Sequence, residues 1–191
     1  GADFSPIKDN KRRIFYGVRP CDIKAITLMR KFFVEEPVDY FYQRRLEHSI
    51  FISLSCKRRC LDAAFCYEMD AGPAAKTGFD LQLIALSEGY LAQVGSKKGE
   101  EIIKKNKKLF SAAKPSCEKE IKIALRDFAK GRKRIDYKKA AKIIKEDKVR
   151  QEIWDDIGLR CVICSGCVTL CPTCSCFSVV DRLNQDKGVR L

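Results

Sequence analysis

The chain has 191 residues, of which 46% are hydrophobic and 33% charged, and its formal net charge is +13. This composition is typical of a globular protein, and the length suits one domain of ordinary size with a smaller one attached. The first twenty residues are strongly charged and lack the apolar core of a signal peptide, and no apolar run is long enough to cross a membrane. We therefore expect a cytoplasmic protein and exclude the membrane-spanning and the disulfide-rich secreted classes.

The first half of the chain predicts an alternation of strands and helices. Residues 14–18 form an apolar run typical of a short buried strand, and Pro20 then opens a helix with apolar side chains at helical spacing. A second helix is predicted over 39–47, with Asp39 as its N-terminal cap, and a second strand over 50–54. Strand, helix and strand in this order favour a βαβ unit.

The next part of the chain predicts a hairpin and then a series of helices. Residues 79–86 and 90–94 flank Gly89 and form the two strands of the hairpin. Before them, Gly72 and Pro73 mark a loop, either a plain turn or a backbone that a flavin could approach. Helices are predicted over 100–110, 116–130, 136–147 and 149–157.

Together these elements predict an α+β or α/β fold with a small mixed sheet and flanking helices. We expect three parts: an α/β domain with a cysteine loop over 1–96, a basic helical region over 97–158, and a ferredoxin-like segment over 159–191.

Most of the positive charge lies in the helical region. Between Lys97 and Arg150 there are 20 lysines and arginines against 8 acidic residues. The excess is explained by a solvated helix surface, by a docking face for an acidic partner subunit, or by a nucleic-acid patch. The regular interleaving of aromatic side chains with the cations that single-stranded nucleic acid would require is missing, so nucleic acid is the least favoured of the three.

The most specific motif is the run from Cys161 to Pro172, with cysteines spaced C-x₂-C-x₂-C-x₃-C and followed by proline. This is the spacing with which bacterial ferredoxins bind a [4Fe–4S] cluster, and a zinc knuckle would instead show cysteine pairs separated by a dozen or more residues. We therefore predict Cys161, Cys164, Cys167 and Cys171 as metal ligands.

The assignment of Cys171 stays open, because in two-cluster ferredoxins the fourth cysteine ligates the other cluster. Cys174 and Cys176 lie nearby as spare thiols, and packing is favoured over ligation for both. Cys117 lies in a helical pattern and is interpreted as an inert, small apolar residue.

A second set of cysteines consists of Cys21, Cys56, Cys60 and Cys66. Cys21 and Cys56 each follow a predicted strand, so we expect both at the same carboxyl edge of the sheet. The N-terminus of a helix at Cys21 is expected to favour a thiolate. Lys57, Arg58 and Arg59 after Cys56 add positive charge that is expected to stabilise thiolates or an anionic cluster. The set predicts a second metal site, with an iron–sulfur cluster preferred over zinc and over unligated thiols.

Residues for bond-making chemistry are scarce. His48 is the single histidine, which leaves little for a histidine-based triad, and there is neither a G-x-G-x-x-G motif nor a P-loop. We predict no catalytic residue in this chain.

Several uncommon motifs occur in a fixed order along the chain. They are Tyr16-Gly-Val-Arg-Pro-Cys-Asp22, Asp39-Tyr-Phe-Tyr-Gln-Arg-Arg45, Ala64-Phe-Cys66, Gly72-Pro73, Gly78-Phe-Asp-Leu-Gln-Leu83 and Cys171-Pro-Thr-Cys-Ser-Cys176. From about Tyr16 to Phe177 the chain resembles the beta subunits of sulfhydrogenase-type hydrogenases and the related iron–sulfur subunits of anaerobic sulfite reductase. Members of that family usually extend further at both ends, with a second ferredoxin run, so the resemblance implies a central fragment.

The resemblance implies a cytoplasmic electron-transfer subunit with [4Fe–4S] clusters. Such a subunit lies between a flavin/NAD(P)H or ferredoxin module and a catalytic subunit of a hydrogenase or a sulfite or sulfur reductase, and any flavin is expected on a partner. The alternatives are a zinc-stabilised nucleic-acid-binding module and an iron–sulfur redox sensor.

Overall fold

The computed structural model describes residues 10–62, 64–129, 136–175, 181–184 and 187–190. Within these ranges the chain forms a four-stranded sheet, a separate two-stranded sheet and seven α-helices. The strands are β1 (Arg13–Val18), β2 (Ser49–Leu54), β3 (Leu81–Ala85), β4 (Tyr90–Val94), β5 (Asp181–Asn184) and β6 (Lys187–Arg190). The helices are α1 (Pro20–Val34), α2 (Tyr40–Glu47), α3 (Lys97–Lys105), α4 (Ser116–Ala129), α5 (Tyr137–Lys145), α6 (Gln151–Arg160) and α7 (Gly166–Leu170). The predicted fold class, a small mixed sheet with flanking helices, is confirmed.

The main sheet has the order β1-β2-β3-β4 and contains both kinds of strand pair. β1, β2 and β3 are parallel, whereas β3 and β4 form the predicted antiparallel hairpin. A parallel pair needs a crossover connection, and α1 and α2 provide the first one, as the βαβ prediction requires. The second crossover is the loop over 55–80, which carries three cysteines. The loops that follow β1 and β2 therefore leave the same edge of the sheet.

Helix α1 packs closely on the loop that leads into β3. Pro20 occupies its first turn, where no intrahelical N–H bond is lost, and both Pro20 and Ile23 are fully buried. Gly78 has a φ of +89°, and a Cβ at this position would overlap Thr27 Oγ1 of α1. Glycine is therefore required at residue 78 both by the backbone conformation and by the approach of the helix.

Buried polar side chains fasten the second crossover to the sheet. Gln82 of β3 is fully buried; its Nε2 donates to Ala75 O at 3.1 Å and to Gln93 Oε1 at 2.9 Å, and its Oε1 accepts from Ala75 N at 2.7 Å. Asp80, also buried, accepts from Phe51 N at 2.8 Å. Since a buried amide or carboxylate is costly without partners, these bonds fix the loop before β3.

The helical region follows the predicted order with shifted ends. Asn106 ends α3, and a short 3₁₀ turn continues over Lys107–Leu109. Asp136 caps α5, as predicted, and accepts from Lys139 N at 2.9 Å. No residue of α5 is buried. Helix α6 continues through residue 158, at which the sequence predicts the end of the basic helical region. The three-part division stays a prediction.

Among the described residues, no helix combines the length and the apolar character needed to cross a membrane.

Candidate metal centres

An open cavity of about 1210 Å³ lies at the carboxyl edge of the main sheet. Cys21, Cys56, Cys60 and Cys66 all line it. The structure thus brings the second cysteine set to one place, at the strand ends where parallel sheets commonly form sites. Their role as ligands stays a prediction.

Local backbone bonds hold Cys56 and Cys66 in the wall of this cavity. Cys56 follows β2, and its N–H donates to Pro73 O at 2.9 Å. The carbonyl of Cys66 accepts from Ala71 N at 2.8 Å, and a Cβ at Gly72 would lie 3.5 Å from Cys66 Sγ. The Gly72–Pro73 turn therefore braces the two cysteines, which favours the plain turn over a flavin contact.

The protonation of these thiols differs from the prediction. Burial, the Asp22 carboxylate and the neighbouring Cys56 and Cys66 raise the pKa of Cys21 to about 11. Cys21 lies exposed at the rim of the cavity, yet the surrounding protein still desolvates its sulfur. The expectation that the helix N-terminus favours a thiolate here is therefore wrong, because desolvation and like charge outweigh it.

The pKa of Cys56 is also raised, first by burial and then by Cys66 and Cys60. Arg19 opposes this shift, mainly through the positive charge of its guanidinium. Lys57, Arg58 and Arg59 line the same cavity. Within it, Lys57 Nζ donates to Leu86 O at 3.5 Å, and Arg59 donates to Phe128 O at 3.0 Å. The expectation that residues 57–59 favour a thiolate at Cys56 is wrong, because burial outweighs the neighbouring positive charge. That these cations would stabilise an anionic cluster stays a prediction.

Arg19 is a site residue that the cysteine motifs do not reveal. It precedes Pro20 directly and lines the cavity. Its signal in the sequence is its place between a strand and a helix that starts with proline, two positions before Cys21.

The ferredoxin run adopts an exposed, sharply curved loop. Cys161 follows α6, α7 carries Cys167, and all four predicted ligands are exposed. Ile163 and Ser165 both have left-handed backbones, with φ of +53° and +58°. This conformation is rare for a β-branched residue, and it turns the chain between Cys161 and Cys167.

The end of the run turns back towards the cavity. Cys171 Sγ lies 3.2 Å from Thr173 Oγ1, and Cys174 N donates to Cys171 O at 3.1 Å. The hydrogen bond from Thr173 is the largest cause that lowers the pKa of Cys171. Pro172 and Thr173 line the same cavity as the second cysteine set.

In the described ranges, no three histidine, cysteine, aspartate or glutamate side chains are arranged as ligands of one metal ion. The residues of both sets still suit an iron–sulfur cluster in their chemistry, because each offers free thiols that soft metals prefer. The left-handed residues of the run add a backbone curvature of the kind found round such clusters. Cys117 and Cys174 are half-buried free thiols, and Cys176 lies outside the described residues.

The chain is similar to a known hydrogenase subunit. It is 29% identical over 169 residues to the Sulfhydrogenase 2 subunit beta of Pyrococcus furiosus, and the match covers 88% of this chain and 49% of the relative. The chain therefore spans about half the length of that curated relative. No family model and no solved structure matches. The predicted resemblance to sulfhydrogenase beta subunits is confirmed, and the resemblance to the sulfite reductase subunits stays a prediction.

Proposed function

We propose that this chain is a one-electron relay, an iron–sulfur subunit of a cytoplasmic hydrogenase or sulfite or sulfur reductase complex. The observation that carries the proposal is the ferredoxin run, whose four thiols are free and exposed on a loop with two left-handed residues. The name of the Pyrococcus furiosus relative supports a place in a hydrogenase complex. The relay would accept single electrons from a flavin/NAD(P)H or ferredoxin module and pass them to a catalytic subunit.

At the first site, Cys161, Cys164, Cys167 and Cys171 would hold a [4Fe–4S] cluster, which supplies the one-electron chemistry when bound. The protein would fix the position of the cluster and tune its reduction potential. Gly166 has no side chain beside Cys164 Sγ, and a Cβ there would lie 3.5 Å from that sulfur. Backbone amides in this part of the loop can therefore approach the sulfurs and stabilise negative charge.

At the second site, Cys21, Cys56, Cys60 and Cys66 would hold a further cluster in the cavity. Metal binds the thiolate form, so the raised pKa values of Cys21 and Cys56 mean that loading releases protons. Arg19 then offsets part of the negative charge that the thiolates and the metal group bring.

The basic helices would dock a neighbouring subunit with an acidic surface. Many of their lysines are exposed. Among the described residues, Glu146 pairs with both Lys142 and Lys148, at 3.8 Å and 2.8 Å, and Glu100 pairs with Lys104 at 3.6 Å. Such a surface accelerates the encounter with an acidic partner and loses strength with salt.

Anaerobic purification with metal analysis tests the proposal. We expect a brown protein, bleached by dithionite, with iron and sulfide in near-equal amounts and about eight iron atoms per chain if both sites bind. A colourless zinc protein would contradict the relay and favour the nucleic-acid-binding module.

Serine variants assign the iron to the two sites. Cys161→Ser is expected to remove the iron of the first site, and Cys21→Ser that of the second, about four atoms in each case. Cys117→Ser is the matched control, because Cys117 lies on α4 outside both sets. Unchanged iron in Cys21→Ser would end the proposal of a second cluster.

A further inference from the structure

The sulfur of Cys171 has a hydroxyl partner in the turn that follows it. Thr173 Oγ1 lies 3.2 Å from Cys171 Sγ, within hydrogen-bond distance for sulfur. A thiolate sulfur has no proton to give, so in the metal-bound form the hydroxyl must donate and the sulfur accept. In the described part of the chain, no side-chain donor reaches the sulfurs of Cys161, Cys164 and Cys167, so the contact is particular to Cys171.

Backbone geometry fixes Thr173 at this place. The N–H of Cys174 donates to Cys171 O at 3.1 Å and closes the turn over residues 171–174. Pro172, within that turn, has a restricted φ. Thr173 also lines the cavity that contains Cys21, Cys56, Cys60 and Cys66. The hydroxyl therefore lies where the first site meets the second.

From this placement we propose that Thr173 is a positioning residue that raises the reduction potential of the cluster bound through Cys171. The inference rests on the proposed function. Reduction by one electron adds negative charge to the cluster and its thiolate sulfurs, and a hydrogen bond to sulfur stabilises the more negative state more strongly.

Redox titration of the full chain, purified without oxygen and followed by electron paramagnetic resonance, tests this role. Thr173→Val keeps the shape of the side chain and removes the hydroxyl. We expect the ratio of reduced to oxidised cluster at a fixed potential to fall by up to about tenfold, which for one electron corresponds to a midpoint about 59 mV lower. Thr173→Ser retains the hydroxyl and should restore the original midpoint.

Thr169→Val is the matched control, since the Thr169 hydroxyl lies in the same run but donates to Ser165 O at 3.0 Å. Its midpoint should equal that of the unaltered chain. If Thr173→Val fails to assemble a cluster, Thr173→Ala carries the same measurement and the same expected shift. Equal midpoints for Thr173→Val or Thr173→Ala and the unaltered chain would overturn the inference, and so would an equal shift in Thr169→Val.

The same preparation separates this inference from the proposed function. If the unaltered chain binds no iron–sulfur cluster at the ferredoxin run, the proposed function fails and the role of Thr173 fails with it. If a cluster assembles and its midpoint potential does not depend on Thr173, the proposed electron relay is retained and only the role of Thr173 is wrong.

Discussion

Cys21 and Cys56 lie round a cavity at the edge of the sheet, where desolvation raises the pKa of both thiols. Cys161 and Cys164, by contrast, lie exposed on the loop between α6 and α7, and Cys167 lies exposed on the short helix α7. Cys21 and Cys56 are distant in the sequence, and the parallel strands of the sheet bring them together. Their proximity therefore depends on long-range contacts. The ferredoxin run depends on twelve consecutive residues and their backbone turns. The two sites are therefore expected to respond to different perturbations: the cavity to the stability of the sheet, and the ferredoxin run to local changes in the backbone.

The largest effect is expected where the sheet supports the cavity. Gly99 is buried in the first turns of α3, and a Cβ there would overlap the backbone carbonyl of Asp80. Because backbone atoms cannot swing away, Gly99→Ala should lower the free energy of unfolding by about 3 kcal/mol. Urea denaturation followed by circular dichroism measures the change.

Gly158 supplies the matched control for this variant. It lies in α6, ahead of the ferredoxin run, and a Cβ there has no neighbour within 4 Å. Gly158→Ala should leave the stability unchanged or raise it by up to about 1 kcal/mol, because alanine favours a helix. Equal destabilisation by both alanines would contradict the difference between the two regions.

A smaller effect, a difference of about tenfold in the rate of alkylation, is expected between the thiols of the two regions. In metal-free protein near pH 8, Cys21, with its pKa at about 11, has a thiolate fraction roughly a hundred times below that of a thiol with an ordinary pKa. The pKa of Cys171 is lowered, so its thiolate is the more abundant. A thiolate of high pKa is the better nucleophile, which offsets roughly tenfold of the difference in thiolate fraction. Cys171 should therefore be alkylated by iodoacetamide at least about tenfold faster than Cys21.

Mass spectrometry of the alkylated peptides gives both rates. The difference should shrink as the pH rises towards 11, because Cys21 then ionises while Cys171 is already a thiolate. Asp22→Asn removes a carboxylate that raises the pKa of Cys21 and should speed its alkylation. Alkylation of Cys21 as fast as that of Cys171 at pH 8 would show that the cavity does not desolvate its thiols.

Features that depend on residues close together in the sequence could be predicted from the sequence. The βαβ unit, the hairpin and the caps Asp39 and Asp136 follow from periodicity and turn chemistry, and the structure confirms them. The meeting of Cys21 and Cys56 was predictable, because parallel strands end at one edge. These parts need only the order of elements along the chain.

Features that depend on distant contacts were not predictable in the same way. The bonds of Gln82 to Ala75 and Gln93 arise only when the crossover folds onto the sheet. The protonation of Cys56 was predicted with the wrong sign, because adjacent cations are visible in the sequence while desolvation is not. Burial is a property of the fold, so the balance between burial and charge could be judged only with the structure.

The smallest effect concerns two helix caps that are alike in chemistry and differ in surroundings. Asp39 accepts from Tyr42 N at 2.8 Å, and Asp136 accepts from Lys139 N at 2.9 Å. Helix α2 is tied to the sheet domain, because the ring of Tyr42 lies 4.8 Å from that of Phe33 on α1. Helix α5, by contrast, has no buried residue.

Asp39→Ala should therefore lower the free energy of global unfolding by about 1 kcal/mol, the usual cost of a lost cap. Asp136→Ala should leave global unfolding almost unchanged and instead speed amide hydrogen exchange within α5, since a helix without buried side chains opens locally. Denaturation and hydrogen exchange of both variants distinguish the two responses. A global loss of about 1 kcal/mol in Asp136→Ala would show that α5 unfolds together with the sheet domain, and the basic region would then be part of the same cooperative unit as the cavity.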